Sequence, residues 1–214
     1  MEEPAPIAIV GLAFRLPGKA NNLDSLDKLL KRGRSGYIPV PRDRWNRDAF
    51  YSPQQNQKGS MSSRHGYYLQ EDISKFDARF FQVSRHEACN MDPKQRLLLK
   101  TTYEALENAG MPMEDVRGTN TSVFVSTFTY DFERIGYREP QVLSGSHVAG
   151  AGPAIIANRI SYFFDLKGPS VTLDTGCVSL RPAVAVIVNV HQLTQQAILE
   201  SLVALSHFIK LAKA

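Results

Sequence analysis

Cysteine is scarce: the 214 residues hold two, Cys89 and Cys177. Two cysteines so far apart give neither a metal-ligand spacing nor a disulfide framework. No metal is expected, and a reducing cytoplasmic setting is. Long apolar runs are missing too. No stretch approaches the roughly 20 consecutive apolar residues of a membrane helix. The start, Met1-Glu2-Glu3-Pro4, is acidic and lacks an apolar signal core, so no membrane association is expected. Blocks of one charge are almost absent. The net charge is +4, with basic residues scattered along the chain except for Lys31-Arg32-Gly33-Arg34. That is not the footprint of a nucleic-acid binder. Neither a Walker loop nor a dinucleotide fingerprint occurs, and no bound cofactor is expected. What remains is globular in composition, 43% apolar and 21% charged, at a length that suits one domain of ordinary size.

The elements follow from periodicity and punctuation. Ile7–Val10 reads as a short buried strand ending at Gly11. Asn22 can cap a helix carrying Leu23, Leu26, Leu29 and Leu30, which Gly33 stops. Residues 34–72 hold Pro39, Pro41, Pro53 and the only tryptophan, Trp45. They read as a long irregular excursion with aromatic surface to bury, continued by Phe76, Phe80 and Phe81. The clearest helix begins at Asp92-Pro93-Lys94-Gln95. Asp92 suits the N-cap, Pro93 the first helical position, and Gln95 the returning half of a capping box. Gly110 ends it. Thr121–Thr127 reads as a strand with Val123 and Val125 on one face and Phe124 on the other. Gly145–Gly152, rich in small residues, leads into a helix over Ala154–Phe164. A glycine-rich approach to a helix can cradle phosphate, but small residues that let a helix pack closely on a sheet are the plainer reading. Strand, helix, strand, helix, strand is an α/β order.

Gly168–Cys177 is the stretch that carries chemistry. Gly168-Pro169 is a turn, and Val171, Thr172 and Leu173 favour a strand. Asp174-Thr175-Gly176 then turns the chain and delivers a cysteine. A residue on a tight strand-to-helix turn projects away from both elements, and a helix starting there would favour thiolate over thiol. A small buried hydrophobe is the other reading of a free cysteine.

Together these stretches resemble the N-terminal half of a β-ketoacyl synthase domain of type I polyketide synthases, most like the iterative reducing synthases of filamentous fungi. The resemblance is carried by Pro6–Gly11 with Arg15–Gly18, Val40–Trp45, Phe76–Phe81, Met91–Leu99, Tyr103–Gly110, Thr129–Phe132, Gly150–Pro153, Ala157–Phe164 and Gly168–Cys177. It implies a thiolase-like α/β fold, here its N-terminal half, with a mixed sheet packed by helices. It also implies a homodimer and decarboxylative condensation of acyl thioesters with a malonyl unit in polyketide biosynthesis. Acyl chains would arrive on the phosphopantetheine arm of an acyl carrier protein. Cys177 takes the nucleophile's place, and its own backbone N–H would be one oxyanion-hole donor.

The resemblance, read from these motifs, ends at Cys177. This divides the chain into a nucleophile-bearing half, 1–177, and a non-matching tail, 178–214, with a possible strand over Ala183–Val190 and an amphipathic helix capped by Thr194. Val178-Ser179-Leu180-Arg181-Pro182 follows where the family continues Cys-Ser-x-Ser-Leu, and Pro182 would interrupt a helix begun at Cys177. Ser201–Leu205 is similar to the Ser-Leu-Val-Ala-Leu that normally follows the nucleophile closely, so Val178–Glu200 has the character of an unspliced short intron. The His-Gly-Thr and Asn-x-Gly-His contexts of the family's two catalytic histidines do not occur. His65, His86, His147, His191 and His207 are assigned no catalytic role. The expectation is a polyketide synthase fragment that does not condense alone. The alternative is a non-catalytic interaction module that binds a carrier protein or a complete synthase.

Overall fold

The computed structural model describes residues 8–54, 57–138, 141, 144–174 and 187–188. Cys177, Pro182, His191, His207 and the proposed tail helix lie outside the described residues. The elements run α1 (Leu23–Lys31), β1 (Tyr37–Pro39), β2 (His65–Tyr67), α2 (Arg85–Cys89), α3 (Pro93–Ala109), α4 (Met113–Val116), β3 (Ser122–Ser126), α5 (Asp131–Arg138), α6 (His147–Ala151), α7 (Ile155–Phe163), β4 (Ser170–Leu173) and β5 (Ile187–Val188).

The architecture turns on β3. It pairs in parallel with β4, Val123 opposite Ser170 through Ser126 opposite Leu173, and antiparallel with β5. The sheet is therefore mixed, in the order β4-β3-β5, and β5 falls inside the tail stretch expected to form a strand. A parallel pair needs a crossover, and α5, α6 and α7 supply it. Val123 and Val125 face inward, as their alternation predicts. They meet Ile156, Ala157 and Ile160 of α7, Leu98, Leu99 and Leu106 of α3, and Met91, Phe81 and Phe164 in one core. Phe81 stacks on Phe76 at 5.0 Å and meets Phe163 at 4.9 Å.

Helix α3 starts where its cap sequence says. Asp92 accepts from the Lys94 N–H, Pro93 occupies the first turn, and Gly110 closes the helix in the left-handed region at φ 68°. Gln95 departs from its expected role. It is buried, and its side-chain amide donates to the Ala149 carbonyl at 3.2 Å, while Gly150 takes the Asp92 N–H. Tertiary partners have replaced the capping box. Helix α1 does form a full capping box, built from Asn22 and Ser25, but none of its residues is buried.

Three further expectations are corrected. Residues 8–10 form no strand, and Ile9 and Val10 are 61% and 58% exposed. A strand needs a neighbour for its N–H and C=O groups, and no described strand pairs with them. The excursion over 34–72 is less irregular than expected, since β1 and β2 pair antiparallel within it. Its aromatics mostly meet one another at the surface: Tyr37 against His65 and Tyr67, Trp45 edge-on to Phe50 with its indole N–H donating to the Tyr68 hydroxyl. Finally, the small residues before α7 form a short helix of their own, α6; α7 packs on β3 and β4, while Gly150 of α6 lies against the turn that opens α3. A Cβ on Gly150 would stand 2.1 Å from the Asn90 carbonyl oxygen. That contact is the reason for glycine at this position.

Candidate functional site

Ligands of open α/β sheets gather beyond the carboxyl ends of the parallel strands. Here β3 and β4 end side by side. Their last main-chain link runs from the Thr127 N–H to the Leu173 carbonyl at 2.9 Å. Past it, β4 passes to Asp174, three residues before Cys177 in the sequence. Past β3, the chain runs through Thr127–Tyr130 into α5.

Side chains hold these two exits. The Tyr130 hydroxyl donates to Asp174 Oδ2 at 2.6 Å. That bond to the carboxylate, together with partial desolvation, raises the phenol above the usual tyrosine range. Thr129 sits at φ 71°, a conformation that costs a residue with a Cβ about 1–2 kcal/mol. Its carbonyl accepts from Lys94 Nζ at 2.7 Å, and Lys94 Nζ also donates to Thr127 Oγ1 at 3.3 Å. Lys94 is itself placed by buried Asp92, whose Oδ1 caps the Lys94 N–H at 2.8 Å and whose Oδ2 lies 3.6 Å from the ammonium. A second link fixes α7 to α2: Arg159 pairs with Glu87 at 2.6 Å and donates to the Ala149 carbonyl.

The described histidines have other partners. His65 lies against Tyr37, ring centroids 5.5 Å apart and tilted by 30°. His86 lies 3.4 Å from the hydroxyls of both Ser144 and Ser146. His147 is buried between Phe132 and Tyr137. Cys89 is an exposed free thiol at the end of α2. Among the described residues no cluster of three or more His, Cys, Asp or Glu could hold a metal ion, and no helix is long and apolar enough to cross a membrane. The sequence reading singled out the Asp174–Cys177 turn but missed Lys94 and Tyr130. Both lie within stretches that carried the family resemblance, but nothing local in the sequence says that they meet.

Two parallel strands end side by side with their exits tied together at Asp174, three residues before Cys177 in the sequence, in an α/β arrangement that known condensing-enzyme domains resemble. A solved oxazolomycin ketosynthase domain from Streptomyces albus superposes with a TM-score of 0.70 at 34% identity, covering 81% of this chain and 30% of that one. The ketosynthase from module 6 of the bacillaene synthase of Bacillus subtilis matches with a TM-score of 0.65 at 31% identity, covering 81% of this chain and 27% of that one. The fold is the N-terminal half of the thiolase-like ketosynthase fold.

Among curated relatives, a highly reducing polyketide synthase of Stachybotrys chartarum is 51% identical over 175 residues, 81% of this chain and 7% of the relative. One from Sordaria araneosa is 49% identical over 186 residues, 86% of this chain and 6% of the relative. The chain thus spans only a small part of the length of the curated relatives it matches. The "Beta-ketoacyl synthase, N-terminal domain" family matches residues 4–198, past the Cys177 at which the motifs stopped, and the chain belongs to that family.

Proposed function

We propose that this chain supplies the acyl-accepting thiol of a polyketide ketosynthase. Cys177 takes an acyl group from a carrier-bound thioester: the thiolate attacks the carbonyl carbon, its backbone N–H helps hold the oxyanion, and the carrier's thiol leaves. The observation that supports this best is the pair of tied strand exits at Asp174, three residues before Cys177, in a chain of this family. Decarboxylation and carbon–carbon bond formation need proton-handling groups placed with the thiol. Both family histidine contexts are missing from this sequence. Acylation is therefore the part of the reaction assigned here, and condensation requires groups beyond these residues. The acyl carrier protein is the proposed donor, and a second ketosynthase copy the proposed dimer partner.

The test is self-acylation. The full chain is incubated with an acyl-pantetheine thioester and mapped by peptide mass spectrometry. An acyl adduct on Cys177, absent in Cys177→Ala and weaker on exposed Cys89, is expected. Equal labelling of both cysteines overturns the assignment.

One observation favours the non-catalytic reading. Large apolar side chains stand open to solvent, Tyr162 on α7 at 88% and Leu30 on α1 at 67% exposed, and each offers apolar area that another domain or chain could cover. Under that reading Cys177→Ala leaves capture of a carrier protein unchanged and no acyl adduct forms.

A further inference from the structure

We propose that Tyr130 is a positioning residue for Cys177, acting through Asp174. This rests on the reading of Cys177 as the nucleophile and adds how its approach is held. The main-chain ladder between β3 and β4 ends at the Thr127–Leu173 bond. The next tie between the two exits is made by a side chain, Tyr130 to Asp174, joining positions 44 residues apart at 2.6 Å. It falls on Asp174, the residue after β4, so it carries the strand pairing one residue further toward Cys177.

Tyr130 can serve as an anchor because its own backbone is fixed from the other side. Thr129, immediately before it, is held in the left-handed conformation by the Lys94 ammonium on its carbonyl. Lys94 is in turn set by buried Asp92 at the start of α3. At its other end Tyr130 opens α5, with its carbonyl accepting the Arg134 N–H at 3.0 Å. A hydroxyl held between two anchored elements and aimed at a carboxylate forms a charge-assisted bond with little ordering left to do. The chain of contacts runs from Asp92 through Lys94, Thr129 and Tyr130 to Asp174, linking the N-terminus of α3 to the exit of β4.

The protonation states give the clamp a pH signature. The bond needs a phenol and a carboxylate. The phenol's pKa is raised by Asp174, so the clamp's contribution is present in full below the ordinary tyrosine value near 10. It is lost as pH rises through the raised value, when phenolate and carboxylate repel. Glu133 on α5 adds to that repulsion.

The experiment uses the full chain with Cys89→Ser, so that one thiol reports, and follows iodoacetamide alkylation of Cys177 from pH 7 to 11. Tyr130→Phe is expected to slow alkylation about fivefold at pH 8, in line with loss of one hydrogen bond to a charged group. Asp174→Asn, which keeps an acceptor oxygen, stays within about twofold of the parent. In an Asp174→Ala background, Tyr130→Phe has no further effect. The parent rate falls again on the alkaline side, and that fall is absent in Tyr130→Phe. A residue that served only stability would lower the melting temperature without moving these rates. If Tyr130→Phe loses its folded circular-dichroism spectrum, Asp174→Asn against Asp174→Ala makes the same comparison. Equal rates for Tyr130→Phe and a parent whose thiol outpaces the denatured chain overturn the clamp. A parent thiol no faster than in the denatured chain overturns the nucleophile assignment beneath it.

Discussion

Replacing Gly150 by alanine tests whether the small residues before α7 exist for packing. A Cβ there would lie 2.1 Å from the Asn90 carbonyl oxygen, 2.8 Å from its carbon and 3.2 Å from Met91 Cα. All three are backbone atoms, so no side chain can rotate out of the way, and α6 or the Asn90–Met91 turn must retreat by about 1 Å. Two effects compete. Gly→Ala inside a helix is worth up to about 1 kcal/mol in favour of folding. Overpacking costs about 1–3 kcal/mol, and the rigidity of the obstacle places this case in the upper part of that range. The retreat also stretches the 2.8 Å bond from the Asp92 N–H to the Gly150 carbonyl, which sets the start of α3. Net destabilisation of about 1–2 kcal/mol is expected, a fall in melting temperature of about 2–8 °C for a domain of this size. Gly145→Ala is the control: among the described residues nothing lies within 4 Å of its would-be Cβ, so its midpoint stays within about 0.5 kcal/mol of the parent. Thermal and urea melts of the full chain measure both. A Gly150→Ala protein as stable as the parent refutes the close-packing argument and reopens the phosphate-cradle reading.

Asp92→Ala removes the α3 cap and the carboxylate beside Lys94. It should cost about 1–2 kcal/mol in a urea melt, and Asp92→Asn should recover most of that; an unchanged midpoint for the alanine variant would show that Lys94 and the helix start are held by something else. Incubated with an acyl-thioester and malonyl-carrier protein, the chain by itself should release no β-ketoacyl product, because the proton-handling histidine contexts are absent from its sequence. A product detected by mass spectrometry, and lost in Cys177→Ala, would contradict this.

Much of the framework was legible in the sequence because its signals are local. Asp92, Pro93 and Gly110 announce α3 through the geometry of helix ends, and the structure places its bounds between them. Alternation at Val123 and Val125 announces β3 and the face it buries. The misreadings arose where a partner far along the chain decides. Gln95 has the sequence position of a capping-box residue, yet the Asp92 N–H it would accept from goes to the Gly150 carbonyl, and its own amide donates to the Ala149 carbonyl of α6. Ile9 and Val10 have strand composition, yet composition does not supply a neighbouring strand. The β1–β2 pair was hidden by the prolines and polar residues around it. Pro39 ends β1, a position where a missing N–H does no harm on an isolated two-stranded ribbon.

The candidate site shows the same division more sharply. The end of β4 at Asp174 was visible because strand formers run into Asp-Thr-Gly-Cys. The contacts that hold it were not, because Lys94, Thr129 and Asp174 come from three separate stretches. Each stretch resembled the family on its own: Met91–Leu99, Thr129–Phe132 and Gly168–Cys177. The structure gives a physical reason for their occurring together. Asp92 caps the helix and places Lys94; Lys94 holds Thr129 in a conformation it would not choose alone; the residue that follows reaches Asp174. Each bond is modest, and the strained threonine opposes them, so none of the three stretches would keep this arrangement without the other two. The motifs are the sequence traces of a single hydrogen-bonded path, and its last described member lies three residues from the cysteine.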